Sequence, residues 1–135
     1  MTNNQQLLFS IEKGPCFGTC PEYKVEVWAS GKAIYKGVRN VQTLGVLETQ
    51  ISDSLLNVFK NSLSKIDLES LDSSYVNKYL TDFPPVDLCF DVNAKRKCIH
   101  VFHENPPLEI KAIIDKVGVM ENSIQWGKGN EIPQH

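Results

Sequence analysis

Long apolar runs are absent from this sequence of 135 residues, in which apolar residues stand singly or in short groups. A membrane-spanning helix needs about 20 consecutive apolar residues, so we expect no insertion into a membrane. Residues 1–6 are polar and show no basic segment ahead of an apolar one, so no secretory signal is visible. As it stands, the sequence predicts a cytoplasmic protein. If Met1 replaces a removed signal, it predicts an exported one, either periplasmic or a lipoprotein.

A strong excess of charge is also missing, because 14 Lys and Arg residues oppose 16 Asp and Glu residues and leave a net charge of −2. So small an imbalance does not attract nucleic acid, and we expect no such partner. Repeats and low-complexity tracts are absent too, and the length suits one domain with its own core. We predict a single domain over residues 1–135, with an ordered core at about 7–127 and a polar tail at 128–135.

Sequence motifs of known chemistry are missing as well. No glycine-rich segment carries the lysine of a nucleotide-binding P-loop. The four cysteines lack the C-x-x-C spacing of structural zinc sites, so one zinc held by all four is a poor match. We therefore expect no cofactor and assign no catalytic residue. Copper or zinc bound by Cys16 and Cys20 is the alternative.

What the sequence does contain is a dense turn at residues 14–23, GPCFGTCPEY, which we call the knuckle. Pro15 and Pro21 fix their own φ and exclude a regular helix. Gly14 and Gly18 can adopt positive φ, and valine at position 18 is therefore expected to be harmful. These residues predict a tight loop that brings the two cysteines of the knuckle together.

Three hypotheses fit the knuckle. Cys16 and Cys20 form a disulfide or a packed thiol pair, or they offer two thiolates to a soft metal. Alternatively, successive N–H groups from Cys16 to Cys20 bind an anion. The candidate loop residues are Cys16, Phe17, Gly18, Thr19 and Cys20, together with Asp82. The role we expect for Asp82 is to form a turn by bonding nearby backbone N–H groups.

The knuckle, followed by a strand, a Ser30-Gly31 turn and a second strand, resembles an uncharacterised bacterial family, domain of unknown function 6438. Thr81-Asp82-Phe83-Pro84 resembles the Thr-Asp-x-Pro stretch of the same family. The resemblance runs from about residue 7 to residue 127. It implies a small α+β domain, often exported, and it supplies no activity and no catalytic residues.

Alternating apolar residues predict strands at 7–12, 23–29, 32–37, 44–51, 86–92 and 95–102. Helical spacing predicts a helix at 53–65 capped by Ser52, and a second helix that begins near Pro107 and stops at Gly118. Residues 67–85 are expected to be irregular with a helical turn near 73–80, and their apolar residues, including Tyr79, to pack down. The order ββββαββα predicts an α+β two-layer sandwich. Its mostly antiparallel sheet has about five to six strands, with two helices on one face.

The polar face of the predicted sheet is the second candidate site. A Ser30-Gly31 hairpin pairs Val27 with Ile34 and Trp28 with Ala33, and it places Trp28 and Tyr35 on one side. These aromatic residues are either an exposed patch or are covered by the tail or by residues 67–85. Trp126 is expected to attach the tail to the body.

A hairpin around Asn93-Ala94 pairs Cys89 with Cys98 and Asp87 with His100. An Asp–His–Cys group of this kind can activate a thiolate. Alternatively, the two cysteines are small apolar residues, and Asp87 and His100 form an ordinary ion pair beside them.

Two functions follow from these features. The first is a binding or interaction module without catalytic activity, which binds an unknown protein or small molecule through the open sheet face and the knuckle. The second is a thiol-dependent protein, either redox-active or carrying copper or zinc through Cys16 and Cys20. The oligomeric state is left open.

Overall fold

Alternating apolar and polar residues build a sheet with one buried face. The computed structural model describes residues 6–126. The strands are β1 (Leu7–Lys13), β2 (Glu22–Trp28), β3 (Lys32–Arg39), β4 (Gly45–Gln50), β5 (Ser74–Val76), β6 (Val86–Val92) and β7 (Lys95–Phe102). The helices are α1 (Asp53–Ser64) and α2 (Leu108–Asn122), and neither is long and apolar enough to cross a membrane.

The seven strands lie in the order β4-β3-β2-β1-β6-β7-β5. Every neighbouring pair is antiparallel except β5 and β7, which are parallel. The predicted α+β class is confirmed. The predicted strand count and the order ββββαββα are corrected, because β5 adds a seventh strand and makes the sheet mixed.

Both helices pack into one hydrophobic core with the buried face of the sheet. Phe59 of α1 meets Phe9 of β1 edge-on, with ring centroids 5.8 Å apart. Helix α2 contributes Ile110, Ile113, Val117 and Met120. The other sheet face, which carries Asp87, Cys98 and His100, is called the open face below.

Helix α1 begins where the sequence predicts. The Ser52 hydroxyl oxygen accepts a hydrogen bond from the Leu55 N–H at 3.2 Å, which satisfies a donor that the first helical turn leaves free.

Helix α2 continues past Gly118, where we predicted its end. An interior glycine costs about 1 kcal/mol relative to alanine. Burial of Met120 and Ile124 beyond Gly118 offsets this cost.

The first hairpin differs from the prediction by one residue. Strand β2 ends at Trp28 and β3 begins at Lys32, so the loop has three residues. Gly31 takes φ +94° and donates its N–H to the Trp28 carbonyl at 2.8 Å. A three-residue loop that ends in a left-handed glycine is a common hairpin connection.

This longer loop shifts the register. Val27 pairs with Ala33, and the predicted Val27–Ile34 and Trp28–Ala33 pairs are wrong. A shift of one residue moves a side chain to the other face of a sheet. Tyr35 therefore lies on the core face and Trp28 on the open face, so they do not form one patch.

Trp126 packs against the body of the domain, as predicted, whereas the predicted polar tail at 128–135 lies outside the described residues. The Trp126 ring lies 5.8 Å from the Tyr35 ring, which in turn stacks on Tyr23 at 6.0 Å. On the open face, Arg96 lies over the Trp28 ring at 5.7 Å, so the cover over Trp28 includes a β7 side chain.

The second hairpin has the predicted register. Its pairs are Val92–Lys95, Asp91–Arg96, Cys89–Cys98 and Asp87–His100. Asn93 and Ala94 take φ 53° and 65°, the two left-handed positions of a type I′ turn.

Residues 67–85 hold the new strand. The predicted helical turn near 73–80 is wrong, because Ser74–Val76 is extended and pairs with the end of β7. A single 3-10 turn at Leu68–Ser70 precedes it. The Tyr75 hydroxyl accepts a hydrogen bond from the Asp72 N–H at 2.9 Å, which holds the entry to this strand.

Candidate functional site

The strand directions gather four connections at one end of the sheet. Strands β1, β3, β5 and β7 finish at this end, and β2, β4 and β6 start there. The connections are the knuckle and residues 40–44, 77–85 and 103–107. We call this set the loop end.

A disulfide closes the knuckle. Cys16 and Cys20 are bonded, with Cα atoms 5.7 Å apart, and both are half-buried. The disulfide hypothesis is thus confirmed. Soft metals need thiolates, which a bonded pair does not offer, so the copper or zinc site proposed for these two residues is corrected. Phe17 and Thr19 belong to the loop that this disulfide closes, and both are exposed to solvent.

Two hydrogen bonds join the knuckle to residues 77–85. The Phe17 N–H donates to the Asp82 carboxylate at 2.7 Å, and the Gly14 N–H donates to the Pro85 carbonyl at 3.0 Å. Asp82 thus bonds a backbone group far away in the sequence, and not the nearby N–H groups that we expected. Of the knuckle N–H groups that were predicted to bind an anion, the N–H of Phe17 binds a carboxylate of the chain itself.

The contact between the knuckle and Pro85 requires a glycine at position 14. A Cβ at position 14 would stand 2.7 Å from the Pro85 side chain. A Cβ at position 18 would meet only the Cys16 sulfur, at 3.9 Å, and Gly18 has no positive φ. The expectation that valine at position 18 is harmful because of a positive φ is therefore wrong.

The remaining connections are tied in by asparagine side chains. The Asn40 side chain donates to the Cys20 carbonyl at 3.3 Å, joining residues 40–44 to the knuckle. Asn77 donates to the Glu104 carboxylate at 3.0 Å, which lowers the pKa of Glu104 and joins 77–85 to 103–107. All four connections are thus linked to one another.

Exposed apolar side chains concentrate at the loop end. Among residues 6–126, nine large apolar side chains are exposed. Val58 and Val119 lie in the interiors of the helices, and the other seven, which include the first residue of α2, lie at or next to this end. The seven are Phe17, Val38, Leu44, Val46, Val76, Tyr79 and Leu108. Phe17 and Tyr79 are 85% and 82% exposed, so the expected packing of Tyr79 is wrong.

A groove of about 270 Å³ lies beside these loops. Its walls combine apolar residues with charged ones: Phe83, Pro84, Val86, Val101, Pro106 and Ile114 with Lys13, His103, Glu104, Lys111 and Asp115. It is large enough for a side chain and too small to enclose a drug-sized ligand.

Tyr23, the last residue of the knuckle, connects the sheet to α2. Its hydroxyl donates to the Glu121 carboxylate at 3.2 Å. Burial raises the pKa of Tyr23, and the Glu121 charge raises it further. Burial also raises the pKa of Glu121, while Lys13 and the Tyr23 hydrogen bond act in the opposite direction. The Tyr23–Glu121 hydrogen bond connects α2 to the sheet.

The open face carries the second set of candidate residues. Cys89 and Cys98 are disulfide-bonded, with Cα atoms 4.1 Å apart. The predicted contact between Asp87 and His100 is present, with 2.7 Å between the carboxylate oxygen and the Nδ1 atom of the ring. On the other side of the disulfide, Asp91 binds Arg96 through two hydrogen bonds of 2.8 and 3.1 Å, which lower the pKa of Asp91.

The candidate residues thus fall into separate places. The knuckle and Asp82 form one site, the open face carries the disulfide group with Trp28, and Tyr35 belongs to the core. Within residues 6–126, no three His, Cys, Asp or Glu residues are grouped as metal ligands. Sequence reasoning missed Tyr79, Leu44 and Leu108 as surface residues. The signal for Leu44 and Leu108 was an apolar residue beside Gly45 or Pro107, and the sequence around Tyr79 holds no such signal.

Fold and site define a small α+β sandwich whose loop end is fastened by a disulfide and by hydrogen bonds between loops. The chain belongs to the family described as Domain of unknown function (DUF6438), whose model matches residues 7–120. No curated protein matches the chain.

Proposed function

We propose that the chain is a protein-interaction module whose binding surface is the loop end. The partner is a protein with an apolar recess for Phe17 and Tyr79. The observation that carries this proposal is the concentration of exposed apolar side chains on loops that are fastened to one another. Exposed apolar patches mark interaction sites, and aromatic residues are enriched at the centres of interfaces.

The shape of this surface favours a protein over a small molecule. Small-molecule sites are concave and enclose most of the ligand. Phe17 and Tyr79 instead project from loops, so the binding partner must supply the recess that covers them. The neighbouring groove can receive a side chain of the same partner.

Fastened loops also lower the cost of binding. Ordering a flexible side chain or loop at an interface costs about 0.5–1.5 kcal/mol per immobilised side chain. In this chain, the Cys16–Cys20 disulfide and the Asp82 hydrogen bond hold the backbone of Phe17 before a partner arrives. A preorganised surface of this kind favours recognition of a protein without catalysis.

Photo-cross-linking in the source cells tests the proposal. The photoreactive residue benzoylphenylalanine replaces Phe17, Tyr79 or, as a control, Val58 on α1, which is also exposed. We expect the same partner protein to be captured from positions 17 and 79, and none from position 58. Different proteins from 17 and 79, or equal capture from 58, would contradict the proposal.

Binding to the captured partner gives the quantitative test. Phe17→Ala and Tyr79→Ala should each weaken the affinity by about tenfold or more, as anchors in a recess do, while Val58→Ala leaves it unchanged. Unchanged affinity in both aromatic variants would place the interface elsewhere.

A further inference from the structure

The Cys89–Cys98 disulfide differs from the knuckle disulfide because one of its cysteines is exposed. Cys98 is exposed on the open face and Cys89 is half-buried. We propose that this pair is a thiol–disulfide exchange site for thiol compounds, in which the mixed disulfide forms at Cys98 and Cys89 resolves it. The site shares no residue with the loop end and goes beyond the binding function proposed above.

The line of attack favours Cys98. A thiolate attacks a disulfide sulfur in line with the S–S bond that breaks. The sulfur that reacts is therefore the one that is accessible on its far side, meaning the side opposite the other sulfur. The far side of Cys89 is occupied by β1, where Ser10 pairs with Cys89 and is 4% exposed. The far side of Cys98 faces the margin of the sheet, because the pairing of β5 starts only at Ser74, opposite His100.

The charged neighbours of the two sulfurs favour Cys98 as the attacking thiolate when the pair is reduced. Residues two apart on a strand share a face and lie about 7 Å apart. The same-strand neighbours are Arg96 and His100 for Cys98, and Asp87 and Asp91 for Cys89. The Arg96 cation stabilises an anion near Cys98, so in the reduced pair the thiolate is favoured at Cys98 over Cys89, and Cys98 is the sulfur that attacks a substrate disulfide.

Each step of the exchange balances. A thiolate of the thiol compound bonds to the Cys98 sulfur. The Cys98–Cys89 bond breaks, and its electron pair goes to the Cys89 sulfur, which takes a proton from water. A second thiolate attacks the compound's sulfur in the mixed disulfide and releases Cys98. Two thiols are thereby oxidised to one disulfide, and the protein pair is reduced by two electrons.

The reverse direction uses the same sulfur. A reduced Cys98 thiolate attacks the disulfide of a substrate, and Cys89 then attacks Cys98 to expel the bound thiol. Cys98 is therefore the sulfur that meets the substrate in both directions.

Glutathione is the probe for the test, with the full chain and the variants Cys89→Ser and Cys98→Ser. Each variant keeps one free thiol of the pair and keeps the Cys16–Cys20 disulfide as an internal reference. Oxidised glutathione is added at pH 7, the reaction is stopped with acid, and peptides are mapped by mass spectrometry. We expect Cys98 to be modified at least about tenfold faster than Cys89. A short peptide disulfide, used in parallel, shows whether protein thiols react as well as small ones.

A second measurement covers the case in which a variant does not fold. Reduced glutathione is added to the unaltered chain without denaturant, and opening of the 89–98 bond is compared with the rate of global unfolding. We expect opening to be faster than unfolding, with the mixed disulfide at Cys98. Equal or faster modification of Cys89, or opening no faster than unfolding, would mean a structural disulfide and overturn the proposal.

Discussion

Asp82→Ala removes the carboxylate that holds the Phe17 amide, and it leaves both aromatic side chains of the proposed interface in place. The lost bond is a short, charge-assisted one at 2.7 Å. Hydrogen bonds to charged groups contribute more than neutral ones, but this carboxylate is exposed, so we take a net value of about 1 kcal/mol. An effect of that size is about a fivefold change in the equilibrium between the closed and the open knuckle.

Hydrogen exchange at the Phe17 amide measures this opening directly. We expect exchange to accelerate about fivefold in Asp82→Ala, while the midpoint of global denaturant unfolding moves little, because the core is untouched. Chymotrypsin gives an independent reading, since it cuts after Phe17 and Tyr79 only when those loops open. Binding of the partner should weaken by a similar factor, because the loop must be ordered on association.

Asp82→Asn is the matched control. Its side-chain oxygen can still accept the Phe17 N–H, so exchange and proteolysis should stay near those of the unaltered chain. If Asp82→Ala exchanges at the same rate as Asp82→Asn and the unaltered chain, the hydrogen bond does not hold the knuckle. The preorganisation argument would then fail.

Three further variants test other contacts. Gly14→Ala would place a Cβ 2.7 Å from Pro85 and should lower the free energy of unfolding by about 1–3 kcal/mol, whereas Gly18→Ala should change it by less than about 0.5 kcal/mol in denaturant melts. Burial raises the pKa of Glu121, so the folded chain binds more protons than the unfolded one and stability falls as pH rises through that pKa. Glu121→Gln should abolish this fall, and a variant with the same pH profile as the unaltered chain would refute the assignment. Ser52→Ala should cost about 0.5–2 kcal/mol, and an unmoved denaturant midpoint would count against the helix cap.

The two hairpins show what determines whether register can be predicted. In β6–β7, two turn residues separate strands whose apolar residues alternate, and the register follows from the count. In β2–β3, Ala29 joins Ser30 and Gly31 in the loop, although Ala29 continues the apolar alternation of β2. One additional loop residue reverses the faces, and for this reason the prediction placed Tyr35 on the same face as Trp28, whereas it lies on the core face.

Non-local contacts could not be derived from the sequence. Strand β5 has three residues and exists because β7 offers it a parallel partner more than 20 residues further along the chain. The Phe17–Asp82 bond spans 65 residues in the same way. The composition of the knuckle nevertheless predicted a tight loop that brings its two cysteines together, because proline and glycine act on the backbone within a few residues.

The fastening of the loop end is difficult to explain by folding alone. The core is complete without Phe17 and Tyr79, whose side chains bury almost nothing. A disulfide that closes so short a loop removes little entropy from the unfolded chain, so it too adds little to global stability. What these contacts do is fix the positions of exposed apolar groups, which is useful only if something else binds them. Asp82→Ala separates the two explanations: a role in folding predicts a lower global stability, whereas a role in recognition predicts a stable chain that binds its partner less tightly.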